Sequence, residues 1–176
     1  MLVVDIYGSP GSGKSTLAAY VFSKLKMLNA RCELVTEFAK DLVWDERHKA
    51  LQNQAYVFGS QFYKLSRLEG EVDVAIVDSP LLLSILYNKC NKLTSYFDKV
   101  VSQVAMSYDC LSYFLPVVGA EQYEDVGRIH NEGESKALSC EMIMLLNSYN
   151  VKYKVLGHNE ESMMSVVDDV MKRLDS

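Results

Sequence analysis

A glycine-rich segment near the start of the chain has the residue types and the spacing that bind phosphate groups. It fits the pattern G-x-x-x-x-G-K-[ST] and comprises Gly8, Ser9, Pro10, Gly11, Ser12, Gly13, Lys14 and Ser15. Glycines let successive backbone N–H groups curl around phosphate oxygens, and a helix that begins directly afterwards adds the partial positive charge of its N-terminus. In this motif the lysine reaches the β- and γ-phosphates, and the serine hydroxyl ligates Mg²⁺. We therefore predict that Gly8 to Thr16 bind ATP, with Lys14 catalytic and Ser15 a metal ligand.

A carboxylate that ends an apolar run is the second candidate for this chemistry. Asp78 follows the run 72–77, which has the composition of a buried strand. At the carboxyl edge of a parallel sheet such an acid points into the crevice where ligands bind. One reading is that Asp78 orients Mg²⁺ through its water shell. The other is that it caps the helix that follows.

Apolar runs and helical periodicities alternate along the chain, which predicts a parallel sheet covered on both faces. The predicted strands are 2–7, 31–36, 72–77, 110–118 and 151–156. The predicted helices are 14–29, one starting near residue 37, then 45–69, 80–89, 95–107, 135–150 and 160–174. No linker or repeat divides the chain. The prediction is a single three-layer α/β/α domain, residues 1–176, with a five-stranded parallel sheet and the phosphate-binding loop (P-loop) after its first strand.

Composition limits the function classes. The chain has 176 residues and a formal net charge of −5, which argues against a broad electrostatic grip on DNA or on an acidic membrane but leaves room for a locally basic groove. The four cysteines and three histidines are scattered and suggest no metal site. No apolar run is long enough to cross a bilayer, and none looks like a secretion signal. The expectation is a cytoplasmic protein (host cytoplasm if it is phage-encoded) with no membrane partner.

With these motifs the chain resembles P-loop NTPases of the nucleoside and nucleotide kinase group. The strongest matches are residues 8–16 and 74–80, while the order of elements is similar from end to end. In detail it is similar to ribosylnicotinamide-kinase-like and phage-encoded kinases. The shared features are a Thr-Glu-Phe-Ala segment at residues 36–39, a helix that carries glutamines, and the Asp-Ser-Pro strand end at residues 78–80.

The resemblance implies an acceptor site beside the P-loop. Kinases of this group often carry a carboxylate after the second strand that contacts the acceptor hydroxyl and takes its proton, and Glu37 holds that position, with Phe38 next to it. A base of this kind needs only hydrogen-bond reach, since phosphoryl transfer depends mostly on alignment and charge. The alternative is that Glu37 merely begins a helix and interacts with its dipole.

Related kinases also use a glutamine on the following helix to read a base or amide edge. Gln61 is the favoured residue and Gln54 the alternative, with Arg67 about two turns further on. For most aromatic residues of this helix, core packing is the expected role. Trp44 fits a cover over the acceptor and a core role equally well.

The polar segment 119–134 lies where similar kinases have a lid over the phosphates. Arg128 is its single arginine, where fuller lids carry several, and it is expected to neutralise charge on the transferred group. Residues 157–159, which include His158, occupy the position where related proteins hold adenine.

Together these residues predict an ATP- and Mg²⁺-dependent kinase that transfers the γ-phosphoryl group to a nucleoside, a nucleotide or a similar small acceptor. The catalytic set is Lys14, Glu37, Asp78 and Arg128; the acceptor-binding set is Glu37, Phe38, Gln61 and Arg67; the metal-binding set is Ser15 and Asp78.

Two other functions stay open. One is a phage-type DNA kinase that phosphorylates a 5-hydroxymethylated pyrimidine, since a flipped base needs only a local groove. The other is a non-kinase ATPase or nucleotide-dependent switch. Regulatory GTPases are disfavoured because no N-K-x-D motif is present, and AAA-type ATPases because the chain has little room for their sensor elements. The apolar segment 81–87 suits a homodimer interface or the core.

Overall fold

The centre of the molecule is a parallel sheet, and it decides where every candidate residue lies. The computed structural model describes residues 1–88, 93, 95–117 and 132–175. Within them the strands are β1 (Leu2–Tyr7), β2 (Cys32–Val35), β3 (Val74–Val77), β4 (Asp109–Phe114) and β5 (Tyr153–Val155). All pairs are parallel, in the order β2-β3-β1-β4-β5. The predicted five-stranded parallel sheet is confirmed.

Helices cover both faces of this sheet. They are α1 (Lys14–Met27), α2 (Phe38–Trp44), α3 (His48–Leu51), α4 (Gln54–Ser66), α5 (Leu83–Tyr87), α6 (Ser95–Ala105), α7 (Glu132–Ser148) and α8 (Glu160–Leu174). The side chains of β1 alternate between the two layers. Val4 and Ile6 pack towards α1 and α8, whereas Val3 packs towards α4 and α6. Because both faces are covered, the central strands β1 and β3 are buried along their whole length.

The strand register brings three loops to one edge. Asp5 of β1 lies opposite Val77 of β3, and Val77 lies opposite Val35 of β2. The P-loop after β1, Asp78 after β3 and Glu37 after β2 therefore leave the sheet side by side. In addition, the connection after β1 passes over one face and the connection after β3 over the other. A crevice opens at such a switch point.

The predicted long helix 45–69 is wrong, because the chain forms two separate helices here, α3 and α4, after α2 has ended at Trp44. Glu46 has a positive φ of 56°, a backbone conformation that ends α2. A new helix, α4, starts after Asn53, whose side chain accepts a hydrogen bond from the Tyr56 N–H at 3.3 Å. The other predicted bounds shift by a few residues; strand β4 ends at Phe114 and helix α5 spans only Leu83–Tyr87.

The segment 81–87, which suited either a dimer or the core, contributes to the core through Leu81, Leu82 and Leu83. A homodimer stays a prediction. The predicted lid with Arg128 lies outside the described residues, except that α7 already begins at Glu132. In the part of the chain that the structure describes, no helix has the length and apolar character needed to span a membrane.

One acid interrupts the apolar central strand. Asp5 is 9% exposed, and the Tyr7 hydroxyl donates a hydrogen bond to its Oδ2 at 3.5 Å. Burial raises the pKa of this carboxyl from its ordinary value of 3.8 to about 7, although hydrogen bonds with Cys110 and Tyr7 partly oppose the shift. The fold therefore favours the neutral acid at this position.

The raised pKa of Asp5 predicts how stability depends on pH. Its contribution is fully present below about pH 4 and is lost as the pH rises through about 7, because the folded state then holds a buried charge. Asp5→Asn keeps the hydrogen-bonding capacity without the charge. We expect Asp5→Asn to gain stability relative to the wild type between pH 4.5 and pH 8, measured by urea unfolding. The exposed Asp168→Asn should show no such gain, and an equal effect of Asp5→Asn at both pH values would contradict this account.

Candidate active site at the carboxyl edge of the sheet

The P-loop needs glycine at its first position. Gly8 has a φ of +153°, and a Cβ atom there would lie 2.4 Å from Ser12 Oγ and 2.7 Å from the carbonyl oxygen of Leu115. Both distances are far below van der Waals contact. The loop then turns back on itself, with the Ser12 N–H donating to the carbonyl of Ser9 at 3.1 Å. Gly13, with a φ of +87°, leads directly into α1.

The start of α1 is prepared for an anion. No side chain caps this helix and no acidic residue lies in its first turn, so its N–H groups and its partial positive charge face the loop. The Lys14 ammonium donates to the Ser9 carbonyl at 3.2 Å and so extends back along the loop. Ser12 Oγ is buried and has no hydrogen-bond partner among the described residues. These groups fit the phosphates of a nucleotide.

Ser15 and Asp78 meet beside this loop. The Ser15 hydroxyl donates to Asp78 Oδ2 at 2.6 Å, while Asp78 Oδ1 is buried and finds no partner within the described residues. Asp78 does not cap the helix that follows it. That helix, α5, begins at Leu83, five residues after Asp78, and no side-chain hydrogen bond caps it. A hydroxyl and a carboxylate in contact are ligands that Mg²⁺ takes when phosphates and water complete its shell.

A cage made by protein side chains alone is not seen: the described residues contain no group of three or more His, Cys, Asp or Glu side chains that would hold a metal ion. The two oxygen ligands that Ser15 and Asp78 offer suit Mg²⁺ better than zinc, because Mg²⁺ in nucleotide sites uses one or two protein oxygens together with phosphates. Ser15 and Asp78 are therefore the pair that fits such an ion.

A crevice of about 240 Å³ opens next to this pair, and Glu37 lies in its wall. The lining residues come from α1, from the ends of β2 and β3, and from α2: Ser15, Ala18, Leu34, Thr36, Glu37, Lys40, Asp41, Trp44 and Asp78. The structure thus brings together Ser15, Asp78 and Glu37, which are separated by up to 63 positions in the sequence. Thr36 and Lys40 also line the crevice and were missed by sequence reasoning. Trp44 is 61% exposed, which excludes its core role.

Burial raises the pKa of the Glu37 carboxyl. The positive charges of Lys14 and Lys40 oppose this shift, and the negative charge of Asp78 adds to it. Glu37 also raises the pKa of Tyr87, second to burial, so the last residue of α5 faces this acid. The side chain of Glu37 precedes α2 but does not cap it by a hydrogen bond. A carboxyl with a raised pKa takes up a proton more readily than an exposed carboxyl does.

The predicted acceptor residues do not all reach this crevice. Gln61 is buried; its Oε1 accepts a hydrogen bond from the Phe38 N–H at 2.9 Å, while its Nε2 has no partner in the described part of the chain. Gln54 is buried too, and its amide donates to the Leu51 carbonyl at 3.2 Å, which ties the start of α4 to the end of α3. Phe38 and Arg67 line a separate groove on the outer side of α4.

Two further contacts connect distant elements to the P-loop. The hydroxyls of Ser9 and Ser139 are 2.9 Å apart, so α7 packs directly on the loop. Ser139 was missed, because nothing local in the sequence marks a contact across 130 positions. On the other side, Nδ1 of His158 would lie 4.0 Å from a Cβ placed on Gly13. The segment after β5, expected beside adenine, therefore lies next to the P-loop.

Comparison with known proteins agrees with this geometry. A family described as AAA domain matches residues 3–162. The chain belongs to this AAA domain family. The expectation that it is too small for an AAA-type protein is therefore wrong at the level of the family. The match covers the P-loop, Glu37 and Asp78, and hence the whole candidate site of this AAA domain.

A solved structure shows the same fold. The structure of deoxyadenosine kinase from M. mycoides with bound dATP is similar over 100% of both chains, with a TM-score of 0.61 and 18% sequence identity. At this identity the similarity shows the fold alone, a nucleoside-kinase-like P-loop domain. No curated protein sequence matches the chain. A specific relation to ribosylnicotinamide kinases or phage kinases stays a prediction.

The contact between Ser15 and Asp78 yields a direct prediction. Asp78→Asn removes the negative charge but keeps the side-chain shape. We expect the increase in ATP affinity on adding Mg²⁺ to shrink by about 10- to 100-fold, as when a residue supporting a metal is lost, while ATP affinity in EDTA changes little. Isothermal titration calorimetry with and without Mg²⁺ measures both.

The matched control is Asp73→Asn, an exposed aspartate just before the same strand, whose carboxylate lies 3.9 Å from Arg31. This variant should keep the full effect of Mg²⁺. If Asp78→Asn also keeps it, the pair does not hold the metal.

Proposed function

We propose that the protein is an ATP-dependent kinase that transfers the γ-phosphoryl group to a hydroxyl or phosphate of a nucleoside, a nucleotide or a similar small acceptor. The observation that carries this proposal is the crevice that joins Ser15, Asp78 and Glu37. Two of these residues suit the donor and one suits the acceptor. A site for nucleotide binding alone has no need of a second, desolvated acid at this point.

The donor half consists of the residues from Gly8 to Thr16 with Asp78. The backbone N–H groups of the loop and of α1 bind the phosphates, and Lys14 turns from the Ser9 carbonyl towards the β- and γ-phosphates. Ser15 and Asp78 would hold Mg²⁺, which would supply positive charge to balance the phosphate oxygens. Buried within the loop, the unpartnered Ser12 hydroxyl gains a hydrogen-bond partner when phosphate is bound.

Glu37 serves the acceptor half. Its carboxylate accepts a hydrogen bond from the acceptor hydroxyl and takes that proton as the new oxygen–phosphorus bond forms. The bond between the γ-phosphorus and the β–γ bridging oxygen breaks, and ADP leaves with that oxygen. Lys14 and Lys40 keep the carboxylate available by opposing its raised pKa. Arg128, expected to neutralise the transferred group, lies outside the described residues and stays a prediction.

The shape of the crevice supports a small group as the direct acceptor. Its volume of about 240 Å³ is below the usual range for a site that encloses a drug-sized ligand. Trp44 offers an exposed aromatic wall on which a ring can pack. A sugar or a single base fits these features.

The second candidate is an ATPase or switch that transfers phosphate only to water, and membership of the AAA domain family favours it. The discriminating experiment is ATP turnover without acceptor and with a panel of nucleosides, nucleoside monophosphates and 5-hydroxymethylated DNA. A kinase is stimulated strongly by one class of acceptor and yields a phosphorylated product. ADP release at the same rate under all conditions would instead establish the ATPase.

Glu37 and Lys14 have separable effects. Glu37→Gln should lower kcat by about 100-fold through loss of the base, with ATP affinity nearly unchanged. Lys14→Ala should lower turnover by about 100-fold or more through loss of charge stabilisation on the phosphates. Stopped-flow kinetics and nucleotide titration separate kcat from binding.

The pH profile adds a control. The wild-type rate should fall as the pH drops through the raised pKa of Glu37, because the base becomes protonated, and Glu37→Gln should lack this acid limb. Glu33→Gln makes the same chemical change four residues earlier, at a side chain that does not line the crevice and whose Oε1 accepts a hydrogen bond from the Leu34 N–H. This variant should behave like the wild type. An unchanged profile in Glu37→Gln would reduce Glu37 to a residue at the start of a helix.

A further inference from the structure

A second concavity lies on the outer side of α4, away from the P-loop. It has a volume of about 540 Å³, more than twice that of the crevice. Its lining comes almost entirely from one stripe of α4 and from Phe38 of α2: Phe38, Ala55, Tyr56, Gly59, Ser60, Tyr63, Lys64 and Arg67. We call it the α4 groove. The proposed donor and acceptor roles do not use it.

The walls of the α4 groove are aromatic and open. Tyr63 is 66% exposed and Tyr56 is 39% exposed, and Phe38 meets the Tyr56 ring edge-on with centroids 5.4 Å apart. Between the tyrosines, Gly59 leaves the helix surface bare, because no described atom outside its own backbone lies within 4 Å of where its Cβ would be. Tyr56 and Tyr63 are seven residues apart, about 10 Å along the helix. Exposed rings at this spacing offer separate faces to flat ligands.

Cations lie among these rings. The Arg47 guanidinium lies 5.8 Å from the centroid of the Tyr56 ring, and the Lys64 ammonium lies 5.5 Å from that of Phe38. Asp41 pairs with Lys64 at 2.7 Å and offsets its charge. The lining of the groove itself contains two basic residues, Lys64 and Arg67, and no acidic residue, on a protein with a formal net charge of −5.

The α4 groove and the crevice are neighbours. Lys64 forms the partition, because it lines the groove while its ammonium donates to Thr36 Oγ1 at 3.3 Å and to Asp41 in the crevice wall. Phe38 lines the groove, and Glu37, the residue before it, lines the crevice. A ligand that contacts Phe38 in the groove therefore lies next to the residue that follows the proposed base, Glu37.

We propose that the α4 groove binds a short single strand of nucleic acid, so that the acceptor group in the crevice belongs to a nucleotide of that strand. Bases stack on aromatic side chains and phosphates pair with Arg and Lys, and the groove offers both in alternation. A protein partner would instead favour a continuous apolar surface with few charges at its centre. Binding of a strand in the groove is independent of the proposed kinase function. The assignment of the acceptor to a nucleotide of that strand rests on the proposed kinase function.

The test is fluorescence anisotropy with a labelled 12-nucleotide single strand of mixed sequence, made once as DNA and once as RNA, at 50 mM salt without ATP. We expect saturable binding of at least one strand. Tyr63→Ala should weaken it by about tenfold through lost stacking. Arg67→Ala should weaken it and reduce the salt dependence by about one phosphate contact.

Gly59→Leu tests the same groove in the opposite sense, because it fills the open surface and also favours the helix. It should weaken strand binding while its thermal stability equals or exceeds that of the wild type. The control is Tyr96→Ala, which removes a tyrosine that is 73% exposed on α6 and should leave binding unchanged.

The outcomes separate the two proposals. No binding of either strand by the wild type, or equal binding by the wild type, Tyr63→Ala and Gly59→Leu, would overturn the groove assignment. Phosphate transfer to free nucleosides by a protein that binds no strand would also overturn the groove assignment, but it would support the proposed kinase function. Strand binding that depends on Tyr63, in a protein that phosphorylates no acceptor, would support the groove and overturn the kinase.

Discussion

The hydrogen bond from Ser15 to Asp78 is the interaction on which the rest of the site depends. At 2.6 Å it joins the start of α1 to the end of β3, and so fixes the P-loop against the neighbouring strand. It forms because β1 and β3 pair in parallel, with Val77 opposite Asp5, so that both strands lead to the same edge of the sheet. Once these two strand ends are joined, Glu37 after β2 is the next group along the edge. The order β2-β3-β1 therefore places Glu37, Asp78 and the P-loop in one row.

Two unsatisfied polar atoms lie at the P-loop edge of the sheet. Ser12 Oγ and Asp78 Oδ1 are buried without a hydrogen-bond partner among the described residues, as are Gln61 Nε2 and Asn88 Oδ1 elsewhere. Each such group costs about 1–3 kcal/mol, so a fold that retains them gives up stability at this edge. Ser12 and Asp78 regain partners from phosphate and metal in the proposed complex. The desolvated Glu37, whose pKa is raised mainly by burial, belongs to the same pattern. The site is thus prepared for charged ligands at the expense of the unliganded fold.

Sequence reasoning succeeded where the signal was local. The P-loop and the acid at the end of β3 follow from spacing within short segments, since glycine conformations and strand ends leave a direct pattern. It failed for 45–69, because an apolar periodicity does not reveal that Glu46 adopts a positive φ or that Asn53 caps a new helix. Gln61 was chosen for its chemistry, yet its carbonyl is used by the Phe38 backbone 23 positions away. Ser139 could not be found at all, since its contact with Ser9 exists only once α7 packs on the loop.

The central claim is that donor and acceptor groups share one crevice, with Glu37 facing the phosphate that Ser15 and Asp78 help to hold. A crystal structure with Mg²⁺ and a non-hydrolysable ATP analogue tests it most directly. The account predicts Mg²⁺ bound to the Ser15 hydroxyl, Asp78 next to the ion or its water ligands, and the γ-phosphate directed into the crevice towards Glu37. A γ-phosphate directed away from Glu37, or an ion bound without Ser15 and Asp78, would contradict it.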